Sequence, residues 1–317
     1  MASIRKKISH LNLPSLSSLN LGGRSSAKEK KRDAYLEGLY KLWERVSTVE
    51  TPRLDPDSFN EFRIVCVNLL HEPFTIEASN TPSFFRRMPQ EKLHEYQVDM
   101  DDQETALDVS DEKDLWSLNR QVLRELDPVG LAASIATAIR IAFNSHERKT
   151  SDGKQVTLKQ VSGWKKADFG RGIFHDAFDD DILHSKHWYP EDAWESVKPE
   201  DQPHVMLTLA HEYEVKDDSL LRGEVLAIVA TMVTRLESES FKHHSIIPVM
   251  VLSFMAERKG RILQAYFADN GLVVYKSRLF SFNESEGATS AEFFLRFERK
   301  CFPDRPDVLV CAKDTSE

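Results

Sequence analysis

Downstream of residue 204 the apolar and polar positions alternate in runs that spell out successive elements. Val205, Leu207 and Leu209 interleave with Met206, Thr208 and Ala210, which predicts a strand. Leu221, Val225, Ile228, Val229, Met232 and Leu236 recur at helical spacing, with Asp217, Asp218 and Ser219 placed to cap the helix. Ile246 to Met255 is apolar on both faces apart from Ser253, the pattern of a strand covered from two sides. Pro248 must then lie at its margin, because a proline inside a sheet forfeits a ladder bond. Arg261 to Ala268 and Leu272 to Phe280 follow as strands joined by Asp269-Asn270-Gly271, residues that tolerate the positive φ of a tight hairpin. The order predicted for about 204–282 is strand, helix and three-stranded meander.

Upstream of residue 150 the helical period prevails. Leu36, Leu39, Tyr40, Trp43 and Val46 predict a first helix from about Asp33. Phe59, Phe62, Cys66, Leu69 and Leu70 predict a second. Leu115, Leu118, Val122 and Leu126 predict a third, entered from an acidic loop. Asp127-Pro128 opens a fourth, whose face is Val129, Ala132, Ala136, Ile139 and Phe143. Between 156 and 203 the pattern is irregular and rich in aromatics, as in a long connection pinned to the core, and Pro190-Glu191-Asp192 opens a short helix there. Thr289 and Glu292 form a capping-box pattern before Phe293, Phe294 and Phe297, and Asp307 to Cys311 adds a short edge strand. The expected fold class is α+β: a disordered basic tail over 1–32, a mainly helical region over 33–150 and an α+β core region over 151–317 with a mixed sheet.

Charge changes this picture at two places. Residues 1–32 hold eight Lys/Arg and one acid, a balance of +7; with −9 for the whole chain, the remainder carries −16. An acidic body repels the nucleic-acid backbone, so the body is not expected to bind nucleic acid. Lys28-Glu29-Lys30-Lys31-Arg32 reads as a solubilising tail at the start of a helix, or as a nuclear-import signal or an anionic-surface contact. Residues 99–114 contain eight acids and one lysine, but a calcium loop starting at Asp99 would place Glu104 where glycine is needed and Ser110 where the bidentate glutamate belongs. Cys66, Cys301 and Cys311 are odd in number and contain no Cys-x-x-Cys, which argues for free thiols. With no apolar run of about 20 residues the chain does not span a bilayer, and it is expected in the cytosol or the nucleus.

Phosphate-loop, nucleophile-elbow and dinucleotide-binding patterns are absent, Gly170-Arg171-Gly172 lacking a third glycine at the required offset. His175, Asp176, Asp179, Asp180, Asp181, His184 and His187 lie within thirteen residues, a composition suited to a transition metal without any fixed ligand spacing. Glu214-Val215-Lys216 lies between the predicted strand and the amphipathic helix. There the order strand, helix, strand resembles the back half of the PD-(D/E)XK nuclease-like core. The resemblance implies Glu214 as a ligand of a divalent metal such as Mg2+, Lys216 as the cation that orients water, and an upstream Asp on a neighbouring strand, for which Asp168, Asp176 and Asp181 are available and Asp181 is taken as the second metal ligand. A second resemblance rests on Ile247–Ser253, Gly260–Phe267 and Leu272–Leu279. These segments are similar to a stretch of an uncharacterised filamentous-fungal protein family, which implies lineage and fold but no activity. The leading expectation is an intracellular accessory or interaction protein with an unidentified protein partner and no cofactor; the alternative is a metal-dependent phosphodiesterase, active or degenerate.

Overall fold

The computed structural model describes residues 27–69, 84–118, 122, 125 and 127–299. Leu70, Leu126, the two later cysteines, the expected strand at Asp307–Cys311 and most of the basic tail lie outside them. The main helices are α1 (Ala27–Ser47), α2 (Gln103–Ser117), α3 (Pro128–Asn144), α4 (Arg222–Glu237) and α5 (Gly287–Leu295). An eight-stranded sheet is built from β1 (Ile64–Asn68), β2 (Trp164–Lys166), β3 (Trp188–Ser196), β4 (Val205–His211), β5 (Val249–Met255), β6 (Lys259–Ala268), β7 (Gly271–Lys276) and β8 (Phe280–Ser281). Its order is β1-β7-β6-β5-β4-β3-β2, with β8 beside β6. The fold is α+β with a mixed sheet.

The predicted core is present in its predicted order. β4 and β5 are parallel, joined through α4, and β5, β6 and β7 run as an antiparallel meander. Every residue of β5 is buried, because helices cover both sheet faces. Val205, Leu207, Val249, Val251, Leu263, Ala265 and Val274 face α1 and α4; Met206, Met250, Leu252, Ile262 and Val273 face α3 and α5. Pro248 precedes β5, where its carbonyl accepts from Val205 N. The hairpin glycine Gly271 adopts φ +114°, and a Cβ there would lie 2.0 Å from the Arg63 carbonyl oxygen.

Several local expectations are corrected. Pro190-Glu191-Asp192 opens no helix: it belongs to β3, which pairs with β4 and shifts register between Pro190 and Asp192. β2 and β3 thus turn the expected irregular connection into sheet, since aromatic residues on a strand bury as well as aromatics on a loop. The Phe59–Leu69 stripe splits into a helix, Pro56–Phe62, and strand β1, with left-handed Arg63 at the break. Most of the acidic run lies on α2 rather than in a loop, capped by Asp102, whose side chain accepts from Thr105 N. At the helix starts, α5 begins at Gly287, before Thr289, and has no side-chain cap. The Asp217 carboxylate meets Leu279 N, while α4 is capped by Glu224 accepting from Leu221 N. The cap at Asp127 is as expected, with its carboxylate accepting from Gly130 N.

No described helix is long and apolar enough to cross a membrane.

Candidate functional site

In open sheets with parallel strands, ligands bind outside the carboxyl ends of those strands. Here that position lies beyond His211 of β4 and Met255 of β5. Two segments meet there: 212–219, leading to α4, and the turn Ala256–Arg258.

Glu214 and Lys216 are both exposed and lie past the end of β4 rather than on it, with buried Val215 between them as the anchor. Glu214 lies beside Glu257, whose carboxyl is held below the ordinary range first by its hydrogen bond to Lys259. Glu257 and Arg258 are consecutive non-glycine residues with φ of +61° and +55°. Left-handed backbone at such residues is strained unless its surroundings enforce it. Arg258 supplies the constraint, since its Nη1 donates to the Trp116 carbonyl at 2.8 Å and its own carbonyl accepts from Phe282 N. Asp181 lies in the helix Asp176–Ile182, with its carboxyl pushed up by burial and by Asp180. The sequence-derived pair therefore occupies two environments: Asp180 and Arg222 around Asp181, Glu257 around Glu214. His175 caps the same helix, accepting from Ala177 N, and His187 pairs with Glu212 at 2.6 Å. Among the described residues no group of three or more His, Cys, Asp or Glu is arranged to hold a metal ion.

Beneath these loops lies a buried polar layer on the α1/α4 face. Period-two alternation places Ser253 after Val249 and Val251, Arg261 before Leu263 and Ala265, and Lys276 after Val274. Arg261 donates through Nε to Glu224 Oε1 at 2.9 Å and through Nη1 to the Ser219 carbonyl at 2.7 Å. Both side chains of this ion pair are fully buried. Burial alone would raise the Glu224 pKa; the Arg261 charge and hydrogen bonds more than offset it and keep the carboxyl below its ordinary value. Lys276 Nζ donates to the Asp217 carbonyl, tying the 212–219 segment to β7. His211 is stacked on Trp188, and neither of its ring nitrogens has a hydrogen-bond partner among the described residues. Burial drives its pKa down to about 4, so the imidazole is neutral near pH 7.

A second polar centre lies on the α3 face. Asp192, at the register shift of β3, pairs with Arg140 Nε at 3.0 Å and with Lys166 Nζ at 3.1 Å. Its backbone N–H donates to Thr208 Oγ1 on β4. Adjacent Glu191 is half-buried, with its carboxyl pushed up by burial and then by Asp192. β-Bulges recur beside functional sites because they redirect a side chain. Sequence reasoning missed this centre because Pro190 suggested a helix start. It also missed Glu224 and Arg261, although each stands as a lone charge within an otherwise apolar face, which is the available signal.

No family model, no curated protein and no solved structure matches this chain.

Proposed function

We propose that this protein is a non-catalytic accessory or interaction protein built on a nuclease-like core whose catalytic positions have degenerated. The observation that carries this reading is the environment of Asp192. In the PD-(D/E)XK pattern an aspartate lies on the strand beside the one that offers the acid and lysine. Asp192 occupies such a neighbouring strand, directly opposite Thr208 of β4. The β4 residues that face the same way are Met206, Thr208 and Ala210, none of which carries a charge. The Asp192 carboxylate is instead neutralised by Arg140 and Lys166. A carboxylate held by two cations is a poor metal ligand, since a divalent ion must displace those ion pairs. For a partner, α2 offers Leu107, 67% exposed, amid exposed Glu104, Asp111 and Asp114. Such a face suits a basic segment with an apolar side chain.

The metal-dependent phosphodiesterase remains as a second reading because Asp192 and Lys166 approach to 3.1 Å, an acid and a lysine on neighbouring strands. The two readings separate in a hydrolysis assay of the full chain with Mg2+ or Mn2+ on duplex DNA, single-stranded DNA and RNA. We expect the same background rate for the wild type, Glu214→Ala and Asp192→Asn. Hydrolysis that requires metal and is lost in either variant would overturn the accessory reading.

A further inference from the structure

Helix α2 closes over one titratable cluster, with His146 and Arg148 buried and Asp108 and Glu112 half-buried, that the reading above does not use. His146, just beyond α3, is 2% exposed, and its Nε2 lies 3.7 Å from Glu112 Oε1 and 3.9 Å from Asp108 Oδ2. Asp108 and Glu112 are four residues apart on α2 and so share its inner face. Arg148, in the ribbon strand Arg148–Lys149, adds a buried cation whose Nη1 donates to the Tyr96 carbonyl at 2.8 Å. Glu292 of α5 faces Arg148 electrostatically. Glu112 Oε1 and His146 Nε2 have no hydrogen-bond partner among the described residues.

We propose that docking of α2 is coupled to an internal proton transfer between His146 and Glu112. In the docked state the cluster holds a neutral carboxylic acid and a neutral imidazole. When α2 lifts and water enters, the Glu112 O–H bond breaks and an N–H bond forms at His146 Nε2, leaving carboxylate and imidazolium. One proton moves, and no other reactant is needed.

The energetics agree with the geometry. Burial pushes Glu112 up to about 7, helped by Asp108 and opposed by Arg148. Burial also holds His146 below its ordinary value, opposed by Asp108 and reinforced by Arg148. Low dielectric disfavours both charged forms, so the docked pair prefers to be neutral. Once exposed, the two groups regain ordinary values, roughly 4.3 for the acid and 6.5 for the imidazole. Across that range the proton that docking adds at Glu112 offsets the one it removes from His146, so docking changes little with pH. The raised Glu112 alone would lose docking stability as pH rises from its ordinary value through about 7. The lowered His146 alone would lose it as pH falls below its ordinary value. Together the two slopes cancel.

The test is amide hydrogen exchange across 105–116 of the full chain at pH 5 and pH 6, corrected for intrinsic exchange rates. The wild type keeps the same protection at both, within about twofold. In Glu112→Gln, protection falls from pH 6 to pH 5, by roughly eightfold for a fully released imidazole. In His146→Gln, protection falls by a similar factor in the opposite direction, from pH 5 to pH 6. Two variants that both track the wild type, or slopes of the same sign, would overturn the proposal. Carboxyl NMR titration of Glu112 in the wild-type protein gives an independent reading that does not depend on the variants folding. A midpoint near 7 supports the coupling, and a midpoint below 5 overturns it.

Discussion

Arg261 on β6 and Glu224 in the first turn of α4 form a fully buried ion pair, 2.9 Å from Nε to Oε1. The same carboxylate accepts from Leu221 N, and the same guanidinium donates to the Ser219 carbonyl. One pair thus caps the central helix, fastens it to the middle of the sheet and holds the end of the 212–219 loop.

Removing one member leaves the other charge buried without a partner. Glu224→Leu and Arg261→Met should each destabilise the protein by about 3–5 kcal/mol. The double variant Glu224→Leu with Arg261→Met should cost less than the sum of the two, because no orphan charge remains. Urea denaturation of the three variants measures this, and strict additivity would show that the two side chains act independently.

His211 should set part of the acid limit of stability. Its folded pKa of about 4 lies below the ordinary value of 6.5, so its contribution is full above 6.5 and is lost as pH falls from 6.5 towards 4. The loss amounts to roughly 3 kcal/mol for complete protonation. His211→Phe keeps an aromatic ring against Trp188 and should flatten this part of the stability profile. The pH dependence of the denaturation midpoint between 7 and 4 checks it.

Gly271→Ala should be strongly unfavourable for a loop-end position. A Cβ would lie 2.0 Å from the Arg63 carbonyl oxygen at a φ of +114°. Both the clash and the left-handed backbone oppose alanine, and the expected cost is about 3 kcal/mol. A thermal melt that falls by only a degree or two would contradict the close approach of β7 to the turn before β1.

Asp192→Asn should cost less, about 1–2 kcal/mol, since Lys166 is mostly exposed and its attraction is screened. The more diagnostic effect falls on Glu191, whose carboxyl is raised by burial and then by the Asp192 charge. Neutralising Asp192 should move the Glu191 midpoint down, as read by carboxyl NMR titration. An unchanged midpoint would place the two carboxylates in separate fields.

The sequence by itself determined the elements that bury one continuous face or a whole segment. β4, α4 and the meander were legible because their apolar periods are long, and Asp269-Asn270-Gly271 admits few alternatives to a hairpin. The Asp127-Pro128 helix start was legible for the same local reason. Tertiary structure decided the rest. Whether Pro190-Glu191-Asp192 starts a helix or bends a strand depends on Thr208 and its neighbours on β4, which lie 16 residues away in sequence. Whether a lone Arg261 in an apolar strand is tolerated depends on Glu224, 37 residues away. His146 comes within 3.7 Å of Glu112 only because α2 folds across it. Periodicity records which face of an element is buried. Charge compensation inside the core is a property of pairs distant along the chain, and only the packed fold brings those pairs together.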